Sequence, residues 1–267
     1  MPVFTDQLQR QIDLKEFPQR IVSLVPSITE LLFDLGLNDE VVGITKFCVH
    51  PESWFKTKTK VGGTKNIKTD VIASLQPQLI IANKEENVKE QIEALENIAP
   101  VFITDVSDLN SALQMIELIG AITNRVGNAL TTIQKIKNEF LKINLPEKKL
   151  RVCYLIWRNP YMTIGGDTFI SDMLERCGFE NVFNDYKRYP EITLSQLSTV
   201  NCELILLSSE PFPFKQKHIY ELQPFLPPTK IILVDGEMFS WYGSRLQFAP
   251  AYFFKLLAEL NVADQKY

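Results

Sequence analysis

The chain alternates short, continuous apolar runs with segments whose apolar residues recur every three to four positions. Runs of the first kind predict buried strands, and segments of the second kind predict amphipathic helices. The predicted strands are residues 20–26, 41–47, 77–83, 100–105, 150–157, 202–209 and 230–236. Because strands alternate with helices from one half of the sequence to the other, the chain is predicted to have an α/β fold.

A long helical stretch in the middle of the chain, roughly residues 109–144, separates two such halves. Its apolar side chains keep helical spacing from Val126 to Ile143, with a weak point near residues 123–127, and Pro146 follows it. A helix of twenty residues spans about 30 Å, the width of a small domain. We therefore expect two Rossmann-like α/β lobes joined by a single long backbone helix: residues 1–124, the helix 125–146, and residues 147–267.

The two halves also share a pattern of polar cap, short helix and buried strand. The segments that begin at Asp70 and Ser195 match at a constant offset of 125 residues, so that Leu79 corresponds to Leu204. This match favours a two-lobe pseudo-symmetry, although any two units of one helix and one strand share part of it.

Charge and cysteine content exclude several classes of protein. Lys and Arg number 28 against 32 Asp and Glu, a net charge of −4, which argues against a generic nucleic-acid-binding face. No apolar window is long enough for a transmembrane helix, and the first twenty residues lack the apolar core of a secretory signal. The chain is thus expected to be cytoplasmic or already without its leader. The cysteines, Cys48, Cys153, Cys177 and Cys202, form no CxxC pair.

The segment after the last predicted strand is aromatic where a loop is usually polar. It carries Met238, Phe239, Trp241 and Tyr242. At the carboxyl end of a strand such rings predict a ligand-facing wall, in which Arg245 pairs with a ligand carboxylate, phosphate or amide. The alternative is that the rings seal the joint between the second lobe and its last helix.

Two earlier loops also follow predicted strands. In the first, Phe47 is a candidate ligand contact, and His50 is either a metal or haem ligand or a locally hydrogen-bonded loop residue. In the second, Tyr161 is the ligand candidate, and the run from Gly165 to Thr168 predicts a turn with an Asp or Thr N-cap. Neither loop carries the glycine spacing of a phosphate or dinucleotide site.

The order of these elements resembles the class III periplasmic solute-binding proteins of ABC importers, also called the helical-backbone metal receptor family. Residues 61–82 are the most specific match, residues 20–36, 41–47 and 165–183 also match, and the resemblance covers roughly residues 20–260. The resemblance implies two α/β lobes joined by one long helix, with a vitamin B12, ferric siderophore or haem ligand held between them. Within the family, the chain most resembles the members that bind vitamin B12.

Site residues follow from the resemblance position by position. The matching ligand-binding positions are Phe47, Thr64, Tyr161, Met162, Tyr189, Glu237, Met238, Phe239, Trp241 and Arg245. Thr64 stands where the family has a tryptophan, and Glu237 replaces an aspartate that reaches the ligand. Cys177 matches one half of a family disulfide, but residues 251–260 offer no second cysteine.

The resemblance also implies docking to a dimeric ABC permease through one acidic residue on each lobe. Asp70 matches the first docking position, and Ser195, which is not acidic, matches the second. Glu191 or Glu210 could substitute for the missing charge.

We therefore expect a non-enzymatic importer component of the periplasm or cell envelope that captures a corrinoid and delivers it to the permease. It is expected to need no covalent cofactor, to bind no nucleic acid and not to insert into a membrane. A ferric siderophore or haem, with Tyr161, Tyr189 or His50 as iron ligand, is the alternative ligand. A cytoplasmic α/β enzyme or sensor that uses the same cleft is the alternative class, although no paired acid–base or nucleophile motif supports an enzyme.

Overall fold

A computed structural model describes residues 3–226 and 228–260 of the chain. These residues form two compact units. Unit 1 contains the chain up to Val106, then Asn110–Lys137 and Tyr242–Gln247. Unit 2 contains Ser107–Leu109, Asn138–Trp241 and the chain from Phe248 onwards. Each unit therefore contains a short segment from the part of the sequence that mainly forms the other unit. The predicted boundaries at residues 124 and 146 do not describe these segments.

Unit 1 is built on a parallel sheet with the strand order β5-β4-β3-β6-β7. Its strands are β1 (Val3–Thr5), β2 (Gln11–Asp13), β3 (Ile21–Ser23), β4 (Val41–Ile44), β5 (Thr59–Lys60), β6 (Leu79–Asn83) and β7 (Val101–Thr104), of which β1 and β2 form a separate antiparallel pair. Its helices are α1 (Pro26–Asp34), α2 (Glu52–Thr57), α3 (Thr69–Ser74), α4 (Lys89–Leu95), most of α5 (Leu109–Ile122) and most of α6 (Val126–Phe140).

Unit 2 is built on a second parallel sheet, with the order β10-β8-β12-β13. Its strands are β8 (Leu150–Leu155), β9 (Tyr161–Met162), β10 (Phe179–Asn181), β11 (Glu191–Ile192), β12 (Leu204–Ser208) and β13 (Lys230–Val234), of which β9 and β11 pair separately. Its helices are α7 (Phe169–Arg176), α8 (Leu194–Thr199), α9 (Gln216–Leu222), α10 (Glu237–Ser240) and α11 (Ala249–Glu259). Short 3₁₀ turns cover Gln223–Phe225 and, in unit 1, Ser244–Gln247.

The central strands explain why the chain folds this way. Every residue of β6 and of β12 is buried, as expected for a parallel strand covered on both faces. Thr168 caps α7 by accepting the Ser171 backbone N–H at 3.3 Å, which confirms the predicted N-cap. Two parallel sheets with interleaved helices confirm the predicted α/β fold.

The predicted helical stretch of residues 109–144 is two helices rather than one. Asn124 takes a left-handed conformation with φ of 56°, and the Arg125 N–H bonds the Gly120 carbonyl at 2.6 Å, which closes the end of α5. A Cβ on Gly120 would lie 2.3 Å from that of Ala129, so the glycine lets α5 and α6 pack closely. Helix α6 begins one residue after the predicted start and ends at Phe140, six residues before the predicted end.

No helix among the described residues is long and apolar enough to span a membrane. Within the same residues, no group of three or more His, Cys, Asp or Glu side chains is placed to hold a metal ion. All four cysteines are free thiols, and Cys202 alone is only partly buried.

Candidate functional site

Open α/β sheets bind ligands outside the carboxyl ends of their strands. We call residues 45–50, 61–64 and 83–87 the carboxyl edge of unit 1, because they follow β4, β5 and β6. We call residues 156–162, 208–212 and 235–241 the carboxyl edge of unit 2, because they follow β8, β12 and β13. Every predicted ligand residue except Tyr189 and Arg245 lies on one of these two edges.

Phe47 is the most exposed predicted ligand residue of unit 1, with half of its surface accessible. The loop beneath it is held by buried groups: the Thr45 and Thr29 hydroxyls each lie 3.1 Å from the Cys48 thiol, and the Thr45 hydroxyl accepts the Phe47 N–H at 3.3 Å. Burial raises the pKa of the Cys48 thiol, so this sulfur acts as a packed, neutral group. The Lys46 ammonium lies 5.0 Å from the centre of the Phe47 ring.

Two buried asparagines tie the remaining loops of this edge together. The Asn87 side chain accepts the Asn83 N–H at 2.8 Å and donates to the Thr64 carbonyl at 3.1 Å. The Asn83 side chain in turn accepts the backbone N–H groups of Glu85 and Glu86. Thr64, itself half-buried, is thereby fixed through its backbone while its side chain remains available.

The segment Tyr242–Gln247 packs within unit 1, although it follows the last strand of unit 2. Arg245 donates two hydrogen bonds to the Glu30 carboxylate, at 2.8 and 2.6 Å, and both side chains are largely buried. Burial raises the pKa of Glu30, and the bonds to Arg245 oppose that rise. The Arg245 guanidinium is thus paired with a protein carboxylate, whereas the sequence predicted that it pairs with a ligand. Because both bonds of this pair go to one largely buried carboxylate, the guanidinium is not available to a second anion.

Two further contacts hold the same segment. The Tyr242 hydroxyl donates to Glu86 at 2.5 Å, and the Ser244 hydroxyl donates to Asp34. A Cβ on Gly243 would lie 2.6 Å from the Ser27 carbonyl oxygen, so only glycine fits where the segment crosses α1. The segment therefore serves as a structural tie in unit 1.

Trp157 is an exposed ring on the carboxyl edge of unit 2. Its side chain is 40% accessible, and its ring packs edge-on against Phe212 at 5.8 Å between centroids. Phe212 is supported in turn by Phe214 and His218, at 4.8 and 5.3 Å. Tyr161 is half-buried in the strand pair beside this cluster.

A half-buried carboxyl group lies on the same edge. Glu210 accepts the Ser240 hydroxyl at 2.5 Å and the Trp241 indole N–H at 2.9 Å. Burial raises its pKa, and the neighbouring carboxylates of Glu237 and Asp235 add to that rise, while the two donors oppose it. This edge therefore gathers three carboxyl groups, and the one of Glu210 holds its proton more tightly than it would in water.

The predicted aromatic wall of residues 237–245 divides into buried and accessible parts. Phe239 is fully buried against Tyr154 and Phe253, and Trp241 is only 6% exposed. These rings thus seal the interior of unit 2, as in the alternative reading of the sequence. Glu237 and Met238 remain half-buried at the edge, where a ligand can reach them.

The other predicted residues lie as follows. Met162, Tyr189 and His50 are half-buried. The electrostatic interaction with His50 lowers the pKa of Glu30 and so opposes the effect of burial. Asp70 is exposed in the first turn of α3, and Ser195 is exposed in α8. Of the possible substitutes for the missing second charge, Glu191 is exposed. Glu210 is mostly buried and bonded as described.

Sequence reasoning missed two functional candidates. Trp157 was predicted only as the end of a strand, although an aromatic residue at that point was the available signal. The bond of Asn87 to the Thr64 carbonyl had no local signal, because Thr64 lies on another loop, 23 residues earlier.

Comparison with known proteins identifies the family. The periplasmic binding protein family model matches residues 21–236, so the chain belongs to that family. This confirms the resemblance found in the sequence and defines the chain as a substrate-binding component of an ABC importer. The family consists of transport components rather than enzymes.

The relatives differ in what they bind. A vitamin B12-binding protein of Vibrio campbellii is 29% identical over 195 residues, which cover 71% of this chain and 70% of that protein. The periplasmic vitamin B12-binding protein BtuF of Vibrio cholerae has a TM-score of 0.73 at 18% identity, covering 92% of this chain and 98% of that one. The periplasmic haem-binding protein HutB of the same species has a TM-score of 0.75 at 20% identity, covering 89% and 98%. The two structural likenesses show a shared fold.

Proposed function

We propose that the chain works in the periplasm or cell envelope, where it captures a corrinoid and delivers it to an ABC permease. Curated relatives named as vitamin B12-binding proteins support this choice of ligand. In this proposal the ligand contacts come from residues of the carboxyl edges defined above, and the metal of the ligand remains cargo throughout.

The observation that carries the proposal is a pair of exposed aromatic rings on rigid supports. Phe47 and Trp157 each leave 40% or more of their surface accessible, yet hydrogen bonds hold the loop of the first and rings hold the second. Burying one such ring against a ligand contributes about 1.5–3 kcal/mol. A planar macrocycle with apolar faces matches this arrangement, because it can stack on rings that need no rearrangement.

Polar groups around the rings would orient the ligand. Lys46 and Thr64 lie on the edge of unit 1, and Glu237 lies on the edge of unit 2. The amide side chains of a corrinoid offer both donors and acceptors to such groups. Arg245, Phe239 and Trp241 are not assigned direct contacts, because the protein itself covers or occupies them.

Calorimetric titration with cyanocobalamin tests the proposal. We expect saturable binding, weakened about tenfold or more by Phe47→Ala and by Trp157→Ala, since each removes a stacking surface. Phe254→Ala is the matched control, because Phe254 is 68% exposed on α11, away from both carboxyl edges in sequence and element. Absence of cyanocobalamin binding, or equal loss in the control, would contradict the assignment.

An iron chelate is the second candidate ligand. The half-buried Tyr161 offers a phenol at the edge of unit 2, and His50 offers an imidazole at the edge of unit 1. Phenolate and imidazole are both iron ligands. Binding of haem or a ferric siderophore without cyanocobalamin, together with loss of the ligand's absorbance shift in Tyr161→Phe, would favour this candidate.

We further propose that Asp70 is the docking residue of unit 1 for the permease. It is exposed in the first turn of α3, where it can meet a cationic side chain. Ser195 has the corresponding place in α8 but no charge, so Glu191 is the acidic residue assigned to unit 2. Asp70→Lys should reduce ligand transfer to the reconstituted permease without changing ligand affinity.

A further inference from the structure

Residues 46–68 carry a charge opposite to that of the whole chain. They contain six lysines and one glutamate, a net charge of +5, in a chain whose net charge is −4. These lysines are Lys46, Lys56, Lys58, Lys60, Lys65 and Lys68. Such asymmetry concentrates the attraction for an anionic partner on one part of unit 1.

Helix α2 and strand β5 bring the centre of this stretch together. The Lys58 ammonium lies 5.2 Å from the Trp54 ring centre, and the Lys60 ammonium lies 5.0 Å from that of Phe55. Lys60 also donates to the carbonyls of Phe55 and Lys58, at 2.5 and 2.9 Å. We call Trp54, Phe55, Lys56, Lys58 and Lys60 the basic corner.

The ammonium groups of the basic corner keep donors for an external anion. An ammonium has three N–H donors; Lys58 gives one of them, to the Asn38 carbonyl, and Lys60 gives two. Lys56 pairs with Glu52 at 2.6 Å, but both side chains are about 70% exposed, and such a pair is readily exchanged. The ring of Phe55 remains 39% exposed among these charges.

We propose that the basic corner adsorbs, without insertion, to the anionic phospholipid headgroups of a membrane surface. Lys56 lies on α2, Lys60 lies on β5 and Lys58 lies between them, and a row of charges of this kind suits a field of headgroups better than one small anion. An exposed ring beside clustered lysines is also the composition of a segment that lies at a membrane interface. This inference goes beyond the importer function and does not depend on which ligand is bound.

Co-sedimentation with vesicles tests the proposal on the full chain. We expect binding to vesicles with one third phosphatidylglycerol in phosphatidylcholine, weakening as salt rises, and none to phosphatidylcholine alone. Each lysine removed should lower the partition coefficient about fivefold, so K56Q/K58Q/K60Q should lower it about a hundredfold. If that variant unfolds, Lys56→Glu, at an exposed position, should still lower it more than about fivefold.

The control removes the same charge elsewhere. K135Q/K187Q/K217Q changes exposed lysines of α6, a loop and α9, and should lower the partition coefficient far less. Equal loss in the two triple variants, or no preference for anionic vesicles, would overturn the proposal. Lysine-dependent binding of a soluble polyphosphate without vesicle binding would also overturn it. Cyanocobalamin affinity should be unchanged in K56Q/K58Q/K60Q, so the failure of this inference and of the proposed ligand remain distinguishable.

Discussion

The carboxyl edges of the two units are supported in different ways. In unit 1, amides and an ion pair fix the loops: Asn83 and Asn87 link the loop after β6 to the loop after β5, and Arg245 holds α1 through Glu30. In unit 2, stacked rings support Trp157, and one carboxylate, Glu210, is held by neutral donors. Two sheets of the same architecture can therefore hold their carboxyl edges in place either through directional polar bonds or through packing of rings.

The largest expected effect is at the ion pair of unit 1. Arg245→Met should lower the free energy of unfolding by about 3–5 kcal/mol, because it leaves the buried Glu30 carboxylate without its partner. Urea unfolding followed by circular dichroism measures this change. Adding Glu30→Leu to Arg245→Met should restore much of the lost unfolding free energy. If Arg245→Met alone is as stable as the parent, the Arg245–Glu30 pair contributes little to stability.

The amide network should come next. Asn87→Leu keeps the size of the side chain but removes its bonds to the Asn83 N–H and the Thr64 carbonyl, at a cost of about 2–3 kcal/mol in unfolding free energy. Asn97→Leu, at an exposed position, should change it by less than about 0.5 kcal/mol. Similar denaturation midpoints for the two variants would contradict a stabilising network.

A matched pair of glycines compares the two edges directly. A Cβ on Gly236 would lie 2.3 Å from the Ser208 hydroxyl and 2.7 Å from Glu210, so Gly236→Ala should cost about 1–3 kcal/mol in thermal or urea unfolding. A Cβ on Gly63 meets the Phe47 ring at 3.1 Å and the end of Lys46 at 3.4 Å, and both side chains can move. Gly63→Ala should therefore cost less than about 1 kcal/mol while weakening ligand affinity; the reverse order of stability would contradict the comparison.

The smallest expected effect is a pH dependence in unit 2. Burial raises the pKa of Glu210 above its ordinary value of 4.5, so the folded state holds this proton more tightly than the unfolded chain does. The resulting stabilisation is full below pH 4.5 and is lost as pH rises through the folded-state pKa. Glu210→Gln should remove that loss, so the difference in melting temperature between variant and parent should grow from acid to neutral pH. A constant difference would show that Glu210 does not titrate in this range.

The α/β fold could be predicted because strand burial and helical spacing are local signals. The runs at residues 77–83 and 202–209 correctly predicted β6 and β12, which are buried along their whole length. The turn at Asn124 was only a weak point in the sequence, because asparagine is tolerated both inside a helix and in the left-handed conformation that ends one.

The site was less predictable because its supports are distant in sequence. Glu30 and Arg245 are 215 residues apart, and no local pattern reports their pairing. The large apolar side chains of residues 238–242 look alike in the sequence, yet Phe239 is buried while Met238 remains at the edge. The ligand-binding roles carried over from the family therefore stay predictions, and Trp157 joins them on the strength of its exposure.

The segment Tyr242–Gln247 has a consequence for synthesis on the ribosome. The sheet of unit 1 is made before the sheet of unit 2, but the contacts of unit 1 from Tyr242, Ser244 and Arg245 to Glu86, Asp34 and Glu30 form only after these later residues leave the exit tunnel. A nascent chain that stops at Trp241 therefore has every strand of unit 1 and still has a buried carboxylate without its cation. Translation thus completes unit 1 only after every described strand of unit 2 has been made, and the earlier sheet reaches its full stability only then.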